Sequence, residues 1–219
     1  MTAPLKPQPP RPVKPRDAAS LVLLRSTGDG PEILMGRRHS RHAFIPDAFV
    51  FPGGKLDAAD MPIASDVSKG TGTPAKSAAL EAAAIRETFE ETGLLLARPG
   101  TLTASAPGTW QTFKERGVIP DTRPLSLLAR AITPTESPIR FHARFYVASD
   151  VKLEGTLEGS GELLDLDWYP LKTARTLPVI DVTEFVLKEV GERTGKGSMV
   201  GPVAFWRYRR GAPILSYET

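Results

Sequence analysis

Arg86-Glu87-Thr88-Phe89-Glu90-Glu91-Thr92-Gly93-Leu94 decides how this 219-residue chain reads. The stretch has the form of the last turns of a helix stopped by a glycine. At about 100° per residue, Glu87, Glu90 and Glu91 share one face. Like charges at that spacing cost an isolated helix roughly 0.2–0.5 kcal/mol per pair. Something has to offset that repulsion, and a hard divalent cation with oxygen ligands is the natural candidate. The opposite face carries an apolar stripe of Ala78, Ala82, Ile85 and Phe89. Thr73-Pro74 offers an N-cap and a first-turn proline, and Gly93 suits the left-handed residue past the end. The bland alternative is a surface helix with a solvated acidic face.

A second piece stands upstream, in Phe51-Pro52-Gly53-Gly54-Lys55-Leu56-Asp57-Ala58-Ala59-Asp60. Together the two pieces resemble the Nudix box, the signature of hydrolases acting on nucleoside diphosphates linked to another moiety. Arg86, Glu87, Glu90, Glu91, Gly93 and Leu94 match its second half, with Thr88 where an aliphatic residue is usual. Asp60 stands where the family has its first glutamate. Between Asp60 and Arg86 lie 25 residues against seven in the pattern, so an insertion of about 61–76 interrupts the box. Taking Glu81 as the first acid gives the wrong distance to Arg86.

The resemblance implies an α/β fold, a Nudix-type α/β/α sandwich with a mixed β-sheet between helices. It also implies a Mg²⁺- or Mn²⁺-dependent pyrophosphatase. By the same resemblance, Glu90 and Glu91 are the principal metal ligands, joined by a backbone carbonyl at Gly53 or Gly54. Glu87 ligates a second ion or helps activate water, and Arg86 orients the carboxylates. Some relatives draw a further acid from a later loop. Glu154, Glu158 and Glu162 are available beside Gly155, Gly159 and Gly161, whose spacing predicts a mobile segment, and Glu162 is the choice because it directly precedes a strand.

The segment from Leu34 to Pro46, which contains Arg37, Arg38 and Arg41, is similar to the basic strand and loop of coenzyme A diphosphatase branches. Ile132-Thr133-Pro134 and Arg140–Phe145 add to that likeness. The three arginines have the forked geometry that suits extra phosphates, or they form a basic strand edge that discourages aggregation. Coenzyme A or acyl-coenzyme A is the expected substrate. The alternatives are ADP-ribose or a nucleotide sugar, and a non-catalytic Nudix-fold binding module. His39, His42 and His142 do not form a ligand set.

Composition narrows the field. The chain has no cysteine, which excludes disulfides, thiolate metal sites and cysteine nucleophiles. The pI near 9.2 belongs to the first 16 residues, where Lys6, Arg11, Lys14 and Arg16 stand without an acid. Set against a formal net charge of +3 for the whole chain, this leaves the remainder close to neutral, and nucleic acid is not an expected partner. Six prolines in the same stretch predict a disordered tail over 1–15 ahead of one domain over 16–219. No apolar run reaches membrane-span length, and no signal segment is visible. The expectation is a cytoplasmic protein acting on a small nucleotide-derived molecule, with a homodimer left open.

Hydrophobic patterning predicts strands at 18–25, 32–38, 49–51, 127–133, 141–148 and 163–169, and a closing hairpin at 203–208 and 213–217. A loop is expected at 61–73, the acid-bearing helix at 74–92 and a short helix at 110–116. A late helix is expected behind a capping box of Asp181 and Glu184. Gly191–Ser198 imitates a phosphate-binding loop, but its glycine spacing is one short, and it reads as the loop ending that helix.

Overall fold

A computed structural model describes residues 13–41, 45–104, 107–209 and 211–218. Its centre is strand β1, Arg16–Thr27. Leu21, Val22, Leu23 and Leu24 are all buried, which explains their reading as a continuous apolar run. A strand covered on both faces has no polar side to show. Leu21 and Leu23 enter one core, while Val22 and Leu24 enter the other.

Among the described residues one mixed sheet of nine strands carries the fold. β1 runs antiparallel to β2 (Gly30–Arg38) through a two-residue turn at Gly28-Asp29, and parallel to β8 (Phe141–Ser149) on its other side. Beyond β8 come β7 (Ser126–Ile132), β10 (Val203–Arg209) and β11 (Ala212–Glu218). β3 (Phe49–Val50) and β9 (Leu163–Pro170) pair with β2. The start of β1, Ala18–Ser20, pairs with β4 (Gly53–Lys55). β1 therefore exchanges partners along its length, and the Pro-Gly-Gly segment is brought into the sheet.

Helices cover both faces. On one side lie α1 (Asp60–Val67), α2 (Ala75–Thr92) and α3 (Thr109–Glu115). On the other lie α4 (Leu171–Ala174) and α5 (Asp181–Gly195). α2 is rich in alanine, the best helix former, and Ala78, Ala79, Ala82, Ala83 and Ala84 are all buried. Small side chains let this helix lie close to the sheet, with Ile85 packed among Leu21, Leu23 and Leu34. A separate ribbon of β5 (Ala97–Pro99) and β6 (Val118–Pro120) carries α3 at its tip.

The sandwich is the architecture implied by the resemblance, with some elements corrected. The loop expected at 61–73 contains α1, because Ile63, Ala64 and Val67 recur at helical spacing and bury against α2. The insertion reading over 61–76 thus spans most of a helix and the following turn. Pro74 rather than Thr73 is the N-cap of α2. No capping box starts α5. Ile180 is its N-cap, and the Asp181 carboxylate accepts from the N–H of Val182 at 2.7 Å. Gly191–Gly195 continues α5, so only the end of the loop-like motif is a turn. The ribbon β5–β6 had no strand signal because each strand is three residues long. Most of the tail expectation falls on residues 1–12, outside the described residues. Val13 is held through its carbonyl by Arg140 at 2.8 Å.

Candidate active site

The acid-bearing end of α2 packs beside β4. Gly93 ends the helix with φ 74°, its N–H donating to the Phe89 carbonyl. A Cβ at Gly93 would stand 2.6 Å from the Thr156 carbonyl oxygen, so the loop after β8 closes onto this glycine. Within that loop, the N–H groups of Glu158 and Ser160 donate to the carbonyls of Thr92 and Glu91 at 3.0 and 3.4 Å. The segment expected to be mobile is instead bonded to the carbonyls that the helix end leaves unsatisfied.

Arg86 is the hub. It is 8% exposed and faces Asp60, which is fully buried at the start of α1. The guanidinium makes a fork, Nε to Oδ1 at 2.8 Å and Nη2 to Oδ2 at 3.0 Å. Nη2 also donates to the Lys55 carbonyl at 3.1 Å. Nη1 reaches Glu90 Oε2 at 2.9 Å and Glu87 Oε1 at 3.0 Å. Burial opposes the charge on Arg86, but the Asp60 bond and the surrounding carboxylates outweigh it and hold the guanidinium protonated. The structure therefore joins the two halves of the box despite the 25-residue spacing. α1 packs on α2, and the remaining inserted residues loop away.

Asp60 has two further donors, the N–H of Asp57 at 2.8 Å and the indole Nε1 of Trp110 at 3.1 Å. Trp110 and its neighbour Thr109, whose hydroxyl donates to Glu90 Oε1 at 2.5 Å, were missed from the sequence. The available signal was the Trp110–Phe113 pair one turn apart, which marks a helix but names no partner. Among the described residues no hydrogen bond or ion pair joins Glu81 to Arg86, whose partners are Asp60, Glu87, Glu90 and the Lys55 carbonyl. Burial raises its carboxyl to about 7, on the part of the helix near Tyr146.

A cleft of about 630 Å³ opens at the other side of the carboxylates. Glu87, Glu91, Glu162, Arg38, Lys55 and Gly54 line its polar end, while Phe141, Phe145, Val182 and Trp206 are among the apolar residues of the rest. Glu91 accepts from the Gly53 N–H at 2.8 Å. Burial pushes the Glu91 carboxyl up to about 8, the Gly53 bond opposing and Glu87 and Glu162 adding to the rise. Burial also raises Glu87, against the pull of Arg86. A Cβ on Gly54 would lie 2.4 Å from the Glu87 carboxylate, so a larger residue there would push that carboxylate aside.

Glu90 receives Arg86 on one oxygen and Thr109 on the other; it is not among the lining residues, but it shares Arg86 Nη1 with Glu87, which is. Arg37 is engaged by Asp165 at 2.7 Å and Asp47 at 3.2 Å and is not among the lining residues. Arg41 is exposed in the turn after β2. His39 lies beside Arg41, and His42 is outside the described residues. His142 is held at about 4 by burial and by the cations Arg144 and Arg130.

Among the described residues no three Asp, Glu or His side chains converge into a ready-made cation site. The donor set nevertheless fits a hard cation. Buried carboxylates with raised affinity for protons have too little positive charge around them, and a divalent ion with oxygen ligands supplies it.

Comparisons with known proteins agree with this geometry. A profile of the NUDIX domain matches residues 14–185. Caenorhabditis elegans nudix hydrolase 7 is 30% identical over 144 residues, 60% of this chain and 43% of that protein. Acyl-coenzyme A diphosphatase NUDT19 of Gallus gallus is 35% identical over 125 residues, 39% of this chain and 33% of that protein. The chain spans less than half the length of these curated relatives. A crystal structure of a NUDIX hydrolase from Alicyclobacillus acidocaldarius matches with a TM-score of 0.66 at 29% identity, covering 80% of this chain and 90% of that one. The chain belongs to the Nudix hydrolase family, through a NUDIX domain that takes up most of its length.

Proposed function

We propose that this protein hydrolyses a pyrophosphate linkage in a nucleotide-derived molecule with the help of Mg²⁺ or Mn²⁺, and that coenzyme A or acyl-coenzyme A is its substrate. The observation that carries the reading is the Asp60–Arg86 fork, which reaches Glu87 and Glu90 on the helix that also aims Glu91 into the cleft. Glu87, Glu90 and Glu91 would hold the cation, with the backbone at Gly54 beside them. A divalent cation bound there neutralises phosphate charge and lowers the pKa of a coordinated water. Arg86 orients Glu87 and Glu90. Arg38 and Lys55, at the polar end of the cleft, bind phosphate oxygens, and Glu162 accepts a proton from the attacking water. Arg37 and Arg41 take extra phosphates only if Arg37 leaves its two aspartates.

The choice of acyl-coenzyme A is supported by the apolar wall of the cleft and by the partial match to the Gallus gallus diphosphatase. A panel of coenzyme A, acyl-coenzyme A, ADP-ribose and nucleotide sugars tests it. Release of 3′,5′-ADP with the phosphopantetheine half is the expected result. AMP with ribose phosphate would replace the substrate by ADP-ribose, and binding without turnover would leave a non-catalytic module. Glu91→Gln and Glu90→Gln should each lower turnover by roughly 10²–10³-fold, the scale for losing one group that stabilises transition-state charge.

A further inference from the structure

The ribbon β5–β6 lies outside the signature motif, yet its tip touches the two ends of the arginine network. Thr109 and Trp110 are successive residues at the start of α3. The Thr109 hydroxyl donates to Glu90 Oε1 at 2.5 Å, while Arg86 takes the other oxygen of the same carboxylate at 2.9 Å. The Trp110 indole donates to Asp60 Oδ1 at 3.1 Å, the oxygen that also receives Arg86 Nε. Trp110 is 1% exposed and packs on Phe113, whose ring meets Phe89 of α2 edge-on at 6.1 Å. α3 is thus seated on the acid-bearing helix by an aromatic contact, and its first two residues add polar contacts to Glu90 and to Asp60.

We propose that Thr109 and Trp110 are positioning residues for the candidate cation site, acting through Glu90 and through the Asp60–Arg86 pair. A carboxylate with one hydrogen bond on each oxygen has a fixed plane and still keeps a lone pair on each oxygen for a cation. Glu90 stands on an exposed part of the helix, where Arg86 alone leaves its second oxygen free to rotate. Thr109 removes that freedom. Trp110 acts one step further back. It supplies Asp60 with a donor that Arg86 does not, and so holds the oxygen on which the fork depends. Partners of this kind behind a ligand typically change metal affinity by roughly 10–100-fold.

The inference rests on the reading of the α2 acids as cation ligands, and the test separates the two. Mn²⁺ binding is measured by electron paramagnetic resonance on the full chain without substrate, for wild type, Thr109→Val, Thr109→Ser and Trp110→Phe. Thermal melting of the metal-free proteins runs alongside. Thr109→Val should bind Mn²⁺ about tenfold more weakly with its metal-free melting unchanged, and Thr109→Ser should restore binding to within about twofold of wild type. Trp110→Phe should also weaken Mn²⁺ binding; because it removes buried volume and lowers melting, Thr109 is the deciding position. Unchanged Mn²⁺ affinity in Thr109→Val would overturn the positioning role and leave the functional reading intact. Tighter binding would overturn it too, since the hydroxyl would then compete with the cation. If wild type and Glu91→Gln were equally unable to bind Mn²⁺, the functional reading would fall and this inference with it.

Discussion

At the scale of single residues, burial sets the chemistry of the candidate site. Asp60 and Arg86 are both taken out of water, and their fork with two added donors is what makes that tolerable. Replacing Asp60 by alanine leaves Arg86 charged in a dry place. The expected loss is about 3–5 kcal/mol of unfolding free energy, read from the midpoint of urea denaturation. Glu91 works in the opposite sense. Its carboxyl titrates at about 8 in the folded protein against 4.5 ordinarily. The folded state therefore holds a proton that the unfolded chain has lost, and stability falls as pH rises from about 4.5 to about 8. Metal-free protein should melt at a lower temperature at pH 8 than at pH 6, and Glu91→Gln should reduce that difference, the remainder coming from the other buried carboxyls, Glu81 and Glu87, that burial also raises. A slope of the reverse sign would show that the Glu91 carboxylate is already compensated without a cation.

At the scale of elements, the end of α2 matters more than its beginning. No side chain caps its N-terminus, and no cation or anion complements its dipole in the terminal turns. Gly93 and the loop that closes over it do the work instead. Alanine at position 93 has to adopt φ 74° and to place a Cβ 2.6 Å from the Thr156 carbonyl. The left-handed conformation alone costs roughly 1–2 kcal/mol, and displacement of the loop adds to it. Gly93→Ala should lose at least that much in urea. The amides of Glu158 and Ser160, which bond to the end of α2, should exchange faster with deuterium. Since the same loop leads to Glu162, turnover should fall more than stability alone explains.

At the scale of the whole molecule, two cores sandwich one sheet, and β1 belongs to both. Leu23, a β1 residue fully buried in the core shared with α2, should cost about 2–5 kcal/mol when cut to alanine, lowering the midpoint of a single cooperative transition. A ligand that binds only the folded state stabilises it by mass action, about 2.7 kcal/mol at a hundred times its dissociation constant. Mn²⁺ at that excess should stabilise wild type by about this amount and Glu91→Gln far less, as measured by calorimetry. The acid face of α2, its glycine stop and the run of β1 were legible in the chain, because periodicity, propensity and the left-handed requirement are local properties of neighbouring residues. α1 was not legible, since its serine, glycine and threonine neighbours hid an apolar spacing that acquires meaning only against α2. Nor were Thr109 and Trp110, which lie 19 and 50 residues from the carboxylates they serve. By itself the sequence determined which side chains carry the charge and on which helical face they stand. Which partner meets each of them, with Arg37 bound to its aspartates and Glu162 brought to the cleft, was decided only in three dimensions. Burial and hydrogen bonding depend on segments distant in the chain, and no local pattern records where those segments meet.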